Sequence, residues 1–437
     1  MGLKYGPITN QLELIMDKFT GFEYLLIDVA NQYGLDKYDF PVRIQWATEN
    51  LDKLEALGEA KEASGKKWKE RPLYWKAVMA IRKAQQGIPT GHLVGFDGVC
   101  SGMQIMSVLT GCKAGATATG LVENHRADAY SSITRTMNEV LSVLETKVEV
   151  DRDVAKPAVM TSLYGSKAQP RKLFGKGTPE LEAFYEAMQI TCPGAWGLLH
   201  DLLESWQPYA LKHEWQLPDG FEAKVKVMQP VEARIEVAEL DNSSFTYQFY
   251  VNEGQKKGLS NAANVVHSVD AYVLRCIHRR CNYDADTVWH AGGVIYTEQL
   301  DRLNGHQAKP EMADAAVQYY IALYTRTKMA DAVILPHLNE DTVQALSDDH
   351  LKKLANIVET MVQHKPFEVV TIHDEFKCHA NNMNHLRWHY INILAEMAEA
   401  DLLSYIFDSI YGATGGHYDK LSDDLSKLVM NSNYALC

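Results

Sequence analysis

From residue 10 to about residue 90 the apolar positions recur at three- and four-residue steps. LELIMDKF, ENLDKLEALGEAKEA and PLYWKAVMAIRKAQ each place Lys and Glu on the opposite face, which predicts a group of supporting helices. Gly87-Ile88-Pro89 ends that pattern. LVGFD then forms a short apolar run closed by an acid, GVCSG supplies small turn residues, and MQIMSVLTG resumes helical spacing, so the order is strand, turn, helix. Farther on, EVVTIHDEFKC (368–378) alternates around His-Asp-Glu and predicts a hairpin with the acid at its turn. Further breaks are expected at the PDG turn of 218–220 and through Asn252–Gly258, and residues 232–258 pattern as a hairpin. Neither a repeat nor a low-complexity tract is present.

Composition narrows the class. The chain has 437 residues, 46% of them hydrophobic and 23% charged, which excludes disordered and fibrous proteins and suggests several structural units. A formal charge of −13 argues against holding nucleic acid by bulk charge, while leaving room for a local basic groove. Seven scattered cysteines without a CxxC pair indicate neither a disulfide framework nor a four-ligand zinc site. With no apolar signal core and no run of 18 apolar residues, a soluble cytoplasmic protein without a membrane partner is expected.

Two strand-end acids, Asp97 and Asp374, are the first chemical candidates. Carboxylates on adjacent strand ends can hold a pair of Mg²⁺ ions for in-line phosphoryl transfer, although an Asp at a strand end is more often a turn former or helix cap. Between them Arg152, Lys156, Met160 and Tyr164 recur every four residues, so cations and an aromatic share one helix face. Arg and Lys one turn apart can grip a triphosphate, Lys can protonate departing pyrophosphate, and Tyr164 followed by Gly165 offers a stacking platform. The structural alternative is an amphipathic surface helix. From Arg152 to Lys176 six basic residues face a single acid, Asp153, which is either a local basic strip or a solvated face. His267 in NVVHSVDAY is by default a core histidine, and Cys276-Ile-His-Arg-Arg-Cys281 reads as part of a basic helix, not as a metal site.

In order, FDGVCSGMQ (96–104), RDVAKPAVMTSLYGSK (152–167) and IHDEF (372–376) resemble motifs A, B and C of the single-subunit, phage- and mitochondrial-type RNA polymerases. Segments at 25–37, 40–54, 213–225 and 264–275 and the final NSNYALC resemble the family as well, so nearly the whole chain is covered. The resemblance implies a mainly α, α+β fold: a right-hand palm with a small antiparallel sheet, helical fingers, and no N-terminal domain. Its expected divisions are 1–150 (palm, motif A), 151–262 (fingers, motif B and a specificity loop in the 232–258 hairpin) and 263–437 (palm return, motif C).

By the same resemblance Asp97 and Asp374 ligate two magnesium ions with help from the Gly98 carbonyl, and Lys156 and Arg152 hold the incoming triphosphate. Met160 lies on that nucleotide-binding face, and Tyr164 stacks near the templating step and helps to choose ribose, with His267 on the 2′-hydroxyl. Gly165 admits the template backbone, His373 buttresses the metal hairpin, and the Cys437 carboxylate folds back toward the site. Implied partners are a DNA template, the RNA product and nucleoside triphosphates.

Departures from the family refine this. The chain begins after the family's template-clasping Arg motif, which suggests the catalytic half of a split phage polymerase completed by a smaller second subunit; a single-stranded-DNA-binding or promoter-opening protein is another candidate partner. About 80 additional, largely helical residues lie near 282–362. Glu375 stands where the family has Ser, as in family-A DNA polymerases, so a DNA polymerase or primase-like enzyme and a non-catalytic subunit are the alternatives. Pro157 predicts that the motif B helix begins near residue 155, with Arg152 on its lead-in.

Overall fold

The computed structural model describes residues 16–64, 68, 70–144, 148–254, 258 and 260–437. Among the described residues the architecture is mainly α with three small antiparallel sheets, the α+β class that the resemblance implies. The central sheet has the order β1–β7–β6, from β1 (Leu93–Asp97), β7 (Glu375–His379) and β6 (Val370–Ile372). β1 alternates, burying Val94 and Phe96 against helices while Asp97 stays at the open end. Register pairs Phe96 with Phe376 and Asp97 with Glu375, so the side chains of each pair leave the same face. β6 and β7 are joined by the two-residue turn His373-Asp374, with His373 at φ 58°, which confirms the hairpin and its acid.

Helices surround this sheet, and their starts are set by caps. The first described helix, Gly21–Ala30, opens on a reciprocal Thr20–Glu23 capping box. The expected helix over LELIMDKF is absent from its described part, because the Asp17 and Phe19 amides donate to the Asn433 and Asn384 side chains instead of to a preceding turn. Its residues 12–15 lie outside the described residues. ENLDKLEALGEAKEA and PLYWKAVMAIRKAQ do fold as helices, at Leu54–Ala63 and Arg71–Gln85.

The motif B helix runs Arg152–Ser162, three residues earlier at its start than Pro157 suggested. Asp151 caps it by accepting from the Asp153 amide, and the Ala155 amide already bonds Asp151 O at 3.1 Å. Pro157 therefore sits inside the helix, where it removes one backbone donor, and the buried Ala155, Ala158 and Val159 hold the helix in the core regardless.

Two further hairpins follow. β2 (Lys212–Gln216) and β3 (Glu222–Lys226) flank the expected turn, with Gly220 at φ 83°. β4 (Met228–Val237) and β5 (Ser243–Gly254) form a two-stranded ribbon, so the hairpin expected over 232–258 is present. Asn252–Gly254 belong to its strand instead of to an irregular stretch, because the Met228–Gly254 pairing extends the ladder. Residues 255–257 lie outside the described residues.

The long helix Ser260–Cys281 crosses the centre. Its Arg279 and Arg280 are not a solvated basic face: Arg279 pairs with Asp219 and Asp331, and buried Arg280 with Glu396. Beyond it, Ala285–Leu303, Ala315–Thr327 and Asp348–Met361 pack around a core of their own that includes Val288, Ile295, Val317, Leu346 and Leu354. The chain returns where it left, with the Phe367 amide donating to Cys281 O at 2.9 Å.

Candidate active site

The site forms where β1 ends, the β6–β7 turn reverses and the motif B helix stops. The Gly98 amide donates to Asp374 O at 3.1 Å, so the backbone just after Asp97 is stitched to the acid of the opposite hairpin. The Cys437 amide donates to Asp97 O at 3.1 Å, and Gly98 pairs with Leu436, so the last residues do lie against motif A. Gln104 locks this arrangement from within: it is fully buried, its amide donates to Thr119 O and Ala435 O, and its carbonyl accepts from the Tyr390 hydroxyl at 2.8 Å. A Cβ at Gly98 would stand 3.0 Å from that hydroxyl, which explains the small residue after the acid.

The acids repel one another. The Asp97 carboxyl is raised to about 6, first by restricted hydration in its recess and then by Glu375 and Asp374. Glu375 is partly neutralised by Lys377 at 2.8 Å, and this pair crosses over Gly95, where a Cβ would meet Glu375 at 2.5 Å. A third acid, Asp270 on the Ser260–Cys281 helix, is also raised to about 6 by burial and by Asp374. Sequence reading missed it, although its position three residues after His267 puts both on one helix flank.

Accumulated carboxylate repulsion of this kind is relieved by a cation. Hard oxygen donors on Asp97 and Asp374 suit Mg²⁺, which takes one or two carboxylates and completes its shell with water and phosphate oxygens. Among the described residues no group of three or more His, Cys, Asp or Glu is placed to hold a metal ion.

The motif B helix ends at the same place, where Asp270 and Asp374 act on Tyr164. Lys156 makes no ion pair among the described residues, and its ammonium stands 5.2 Å from the Tyr130 ring centroid. Arg152 is engaged differently, bonding Asp128 at 2.7 Å and Asp153 at 3.0 Å, so in this arrangement carboxylates occupy the guanidinium expected to grip a triphosphate. Met160 is exposed.

The helix closes through Ser166 N to Thr161 O and Gly165 N to Ser162 O, with Gly165 at φ 87°, the geometry of a left-handed glycine cap. Tyr164, just before that cap, swings its hydroxyl over Gly102, where an added Cβ would stand 3.1 Å away. Its phenol is raised to about 12 by burial, with Cys100, Asp270 and Asp374 adding to the effect. His267 is exposed rather than a core residue, and its ring lies beside Tyr164. His373 shapes the hairpin through its left-handed backbone, and its side chain is exposed.

Residues 18–172 match the family model described as DNA-dependent RNA polymerase. The chain is related to the phage and mitochondrial DNA-directed RNA polymerases. It is 25% identical to the DNA-directed RNA polymerase of Enterobacteria phage T3 over 341 residues, covering 58% of this chain and 38% of the relative. Similarity to the mitochondrial DNA-directed RNA polymerase of Schizosaccharomyces pombe is 25% over 165 residues, covering 33% and 14%. To the chloroplastic/mitochondrial DNA-directed RNA polymerase 2 of Arabidopsis thaliana it is 30% over 173 residues, covering 33% and 17%. The chain thus spans less than two fifths of the length of these relatives. The family match covers motif A and motif B; Asp270, His267 and Asp374 lie beyond it. Among the described residues no helix is long and apolar enough to cross a membrane.

Proposed function

We propose that this chain carries out DNA-templated RNA synthesis, joining ribonucleoside triphosphates to an RNA 3′-hydroxyl and releasing pyrophosphate. The observation that carries the reading is the convergence of the Asp97 and Asp374 strand ends with Tyr164 and His267. Two Mg²⁺ ions, held by Asp97 and Asp374 beside Gly98, would neutralise charge at the attacking and leaving oxygens.

The protein groups have distinct tasks. Lys156, without a carboxylate partner among the described residues, is the group to meet a triphosphate and return a proton to pyrophosphate. Arg152 serves in this reading once a phosphate displaces Asp128, since a bidentate anion competes well for a guanidinium. His267 beside Tyr164 reads the 2′-hydroxyl of the incoming nucleotide, while Gly165 and the tyrosine ring adjoin the template. A smaller second subunit works with this chain in this reading, and a single-stranded-DNA-binding or promoter-opening protein delivers the melted template, in a reducing cytoplasm that keeps the seven cysteines free.

Extension of an RNA primer on single-stranded DNA with Mg²⁺ tests this, using the chain alone and then with the second subunit. Ribonucleotide addition is expected. Preference for deoxyribonucleotides, or no addition under either condition, overturns the reading.

A further inference from the structure

The helix Ala129–Val143 meets the motif B helix at its first turn, beside the two cations assigned to the triphosphate. Asp128 caps it, one carboxylate oxygen accepting from the Tyr130 amide at 3.1 Å and the other from Arg152 at 2.7 Å. One acid thus fixes both Tyr130 and Arg152. The Tyr130 ring then lies under both cations, with the Lys156 ammonium 5.2 Å and the Arg152 guanidinium 5.5 Å from its centroid. Both distances fall within the reach of about 6 Å over which a ring face attracts a cation.

The far end of Tyr130 reaches motif A. Its hydroxyl is hydrogen-bonded to the side chain of Cys100, three residues after Asp97. Cys100 opens the helix Ser101–Thr110 with a left-handed backbone, φ 55°. A single half-buried side chain therefore links the strand end that carries Asp97 to the helix that carries Lys156 and Arg152.

The two cations are restrained differently. A carboxylate holds Arg152, and an arriving phosphate has to displace it. Lys156 makes no ion pair among the described residues and has the ring instead. A ring face attracts an ammonium without neutralising it and leaves its N–H donors free for phosphate oxygens. Tyr130 can thus order a long, flexible lysine in advance without competing for it, which lowers the cost of binding. Core packing alone would use the same ring, but it would not depend on the charge of the ring face.

We propose that Tyr130 is a positioning residue for nucleotide addition, its ring holding Lys156 and Arg152 in register with the Asp97 strand end so that they grip a triphosphate there. The inference rests on the triphosphate role proposed above for the two cations. The test replaces Tyr130 in the full chain by phenylalanine and by its mono-, di- and trifluoro analogues, which withdraw charge from the ring face while keeping its shape. Binding of inorganic triphosphate is measured by calorimetry for each ring, and primer extension, with the second subunit where it is needed, gives the KM for ribonucleotides. The expected result is a stepwise loss, reaching about fivefold or more in triphosphate affinity between phenylalanine and its trifluoro analogue and matched in KM, at an unchanged melting temperature. Equal affinity for every ring overturns the proposal, as does affinity that rises with fluorination, since the ring would then compete with the phosphate. A flat series beside active wild type removes this inference alone, whereas wild type that adds no nucleotide with or without the second subunit removes the proposed function and this inference with it.

Discussion

The ring of Tyr164 lies 4.7 Å from that of His267, centroid to centroid, with the planes inclined at 50°. One side chain ends the motif B helix and the other projects from the Ser260–Cys281 helix, so sugar selection would depend on two elements meeting. His267→Ala is expected to lower the preference for ribo- over deoxyribonucleotides by about tenfold or more, the order of one hydrogen bond, with smaller loss of total synthesis. Competition between the two nucleotides at limiting concentration measures it; an unchanged ratio removes His267 from the site.

Asp374→Ala is expected to reduce nucleotide addition to background while leaving the circular dichroism spectrum unchanged, because Asp374 occupies a half-buried turn instead of the core. Substantial residual synthesis would sink the two-metal assignment.

Asp97 has a thermodynamic signature separate from activity. Its folded pKa of about 6 lies above its ordinary value of 3.8, so its contribution to stability is full below pH 4 and is lost as pH rises through 6. At pH 8 without Mg²⁺, Asp97→Asn is therefore expected to be as stable as wild type or more so, by about 1 kcal/mol or less given solvent screening. Added Mg²⁺ should raise the melting temperature of wild type and not of the variant. Asp270→Asn should behave alike in the absence of metal, since its carboxyl is raised to the same region.

Gln104→Ala leaves two buried backbone carbonyls and the Tyr390 hydroxyl without their partner. A loss of about 2–4 kcal/mol is expected in denaturant unfolding, together with faster amide exchange at Leu436 and Cys437. Exchange there that matches wild type would show that the C-terminal pairing is held by other contacts.

Much of the central sheet was legible because its signals are local: an apolar run ending in Asp97, small residues, then helical spacing, and alternation around His373-Asp374. The motif B helix was misjudged at its start because Pro157 has a strong intrinsic cost, whereas the Asp151 cap and the buried Ala155 and Val159 that outweigh it act through contacts. Arg152 was placed on the helix face by its spacing, yet its engagement by Asp128 depends on a residue 24 positions away. Asp270 escaped notice because one acid on a helix carries no pattern; it becomes chemical only when folding sets Asp374 near it. Gly165 carries a template role only by resemblance, whereas its left-handed φ of 87° shows that it ends the helix.

The hydrogen bond from Phe367 to Cys281 closes the helical insertion at its neck. The segment between them builds a core of its own, yet it is tied to the rest of the protein elsewhere too, by Asp331 to Arg279 at 2.7 Å and by Thr327 O, which accepts from the Asp401 amide at 2.8 Å. In evolutionary terms the segment is no free appendix: losing it would take away Asp331, one of the two carboxylates that neutralise Arg279 on the helix that carries Asp270 and His267.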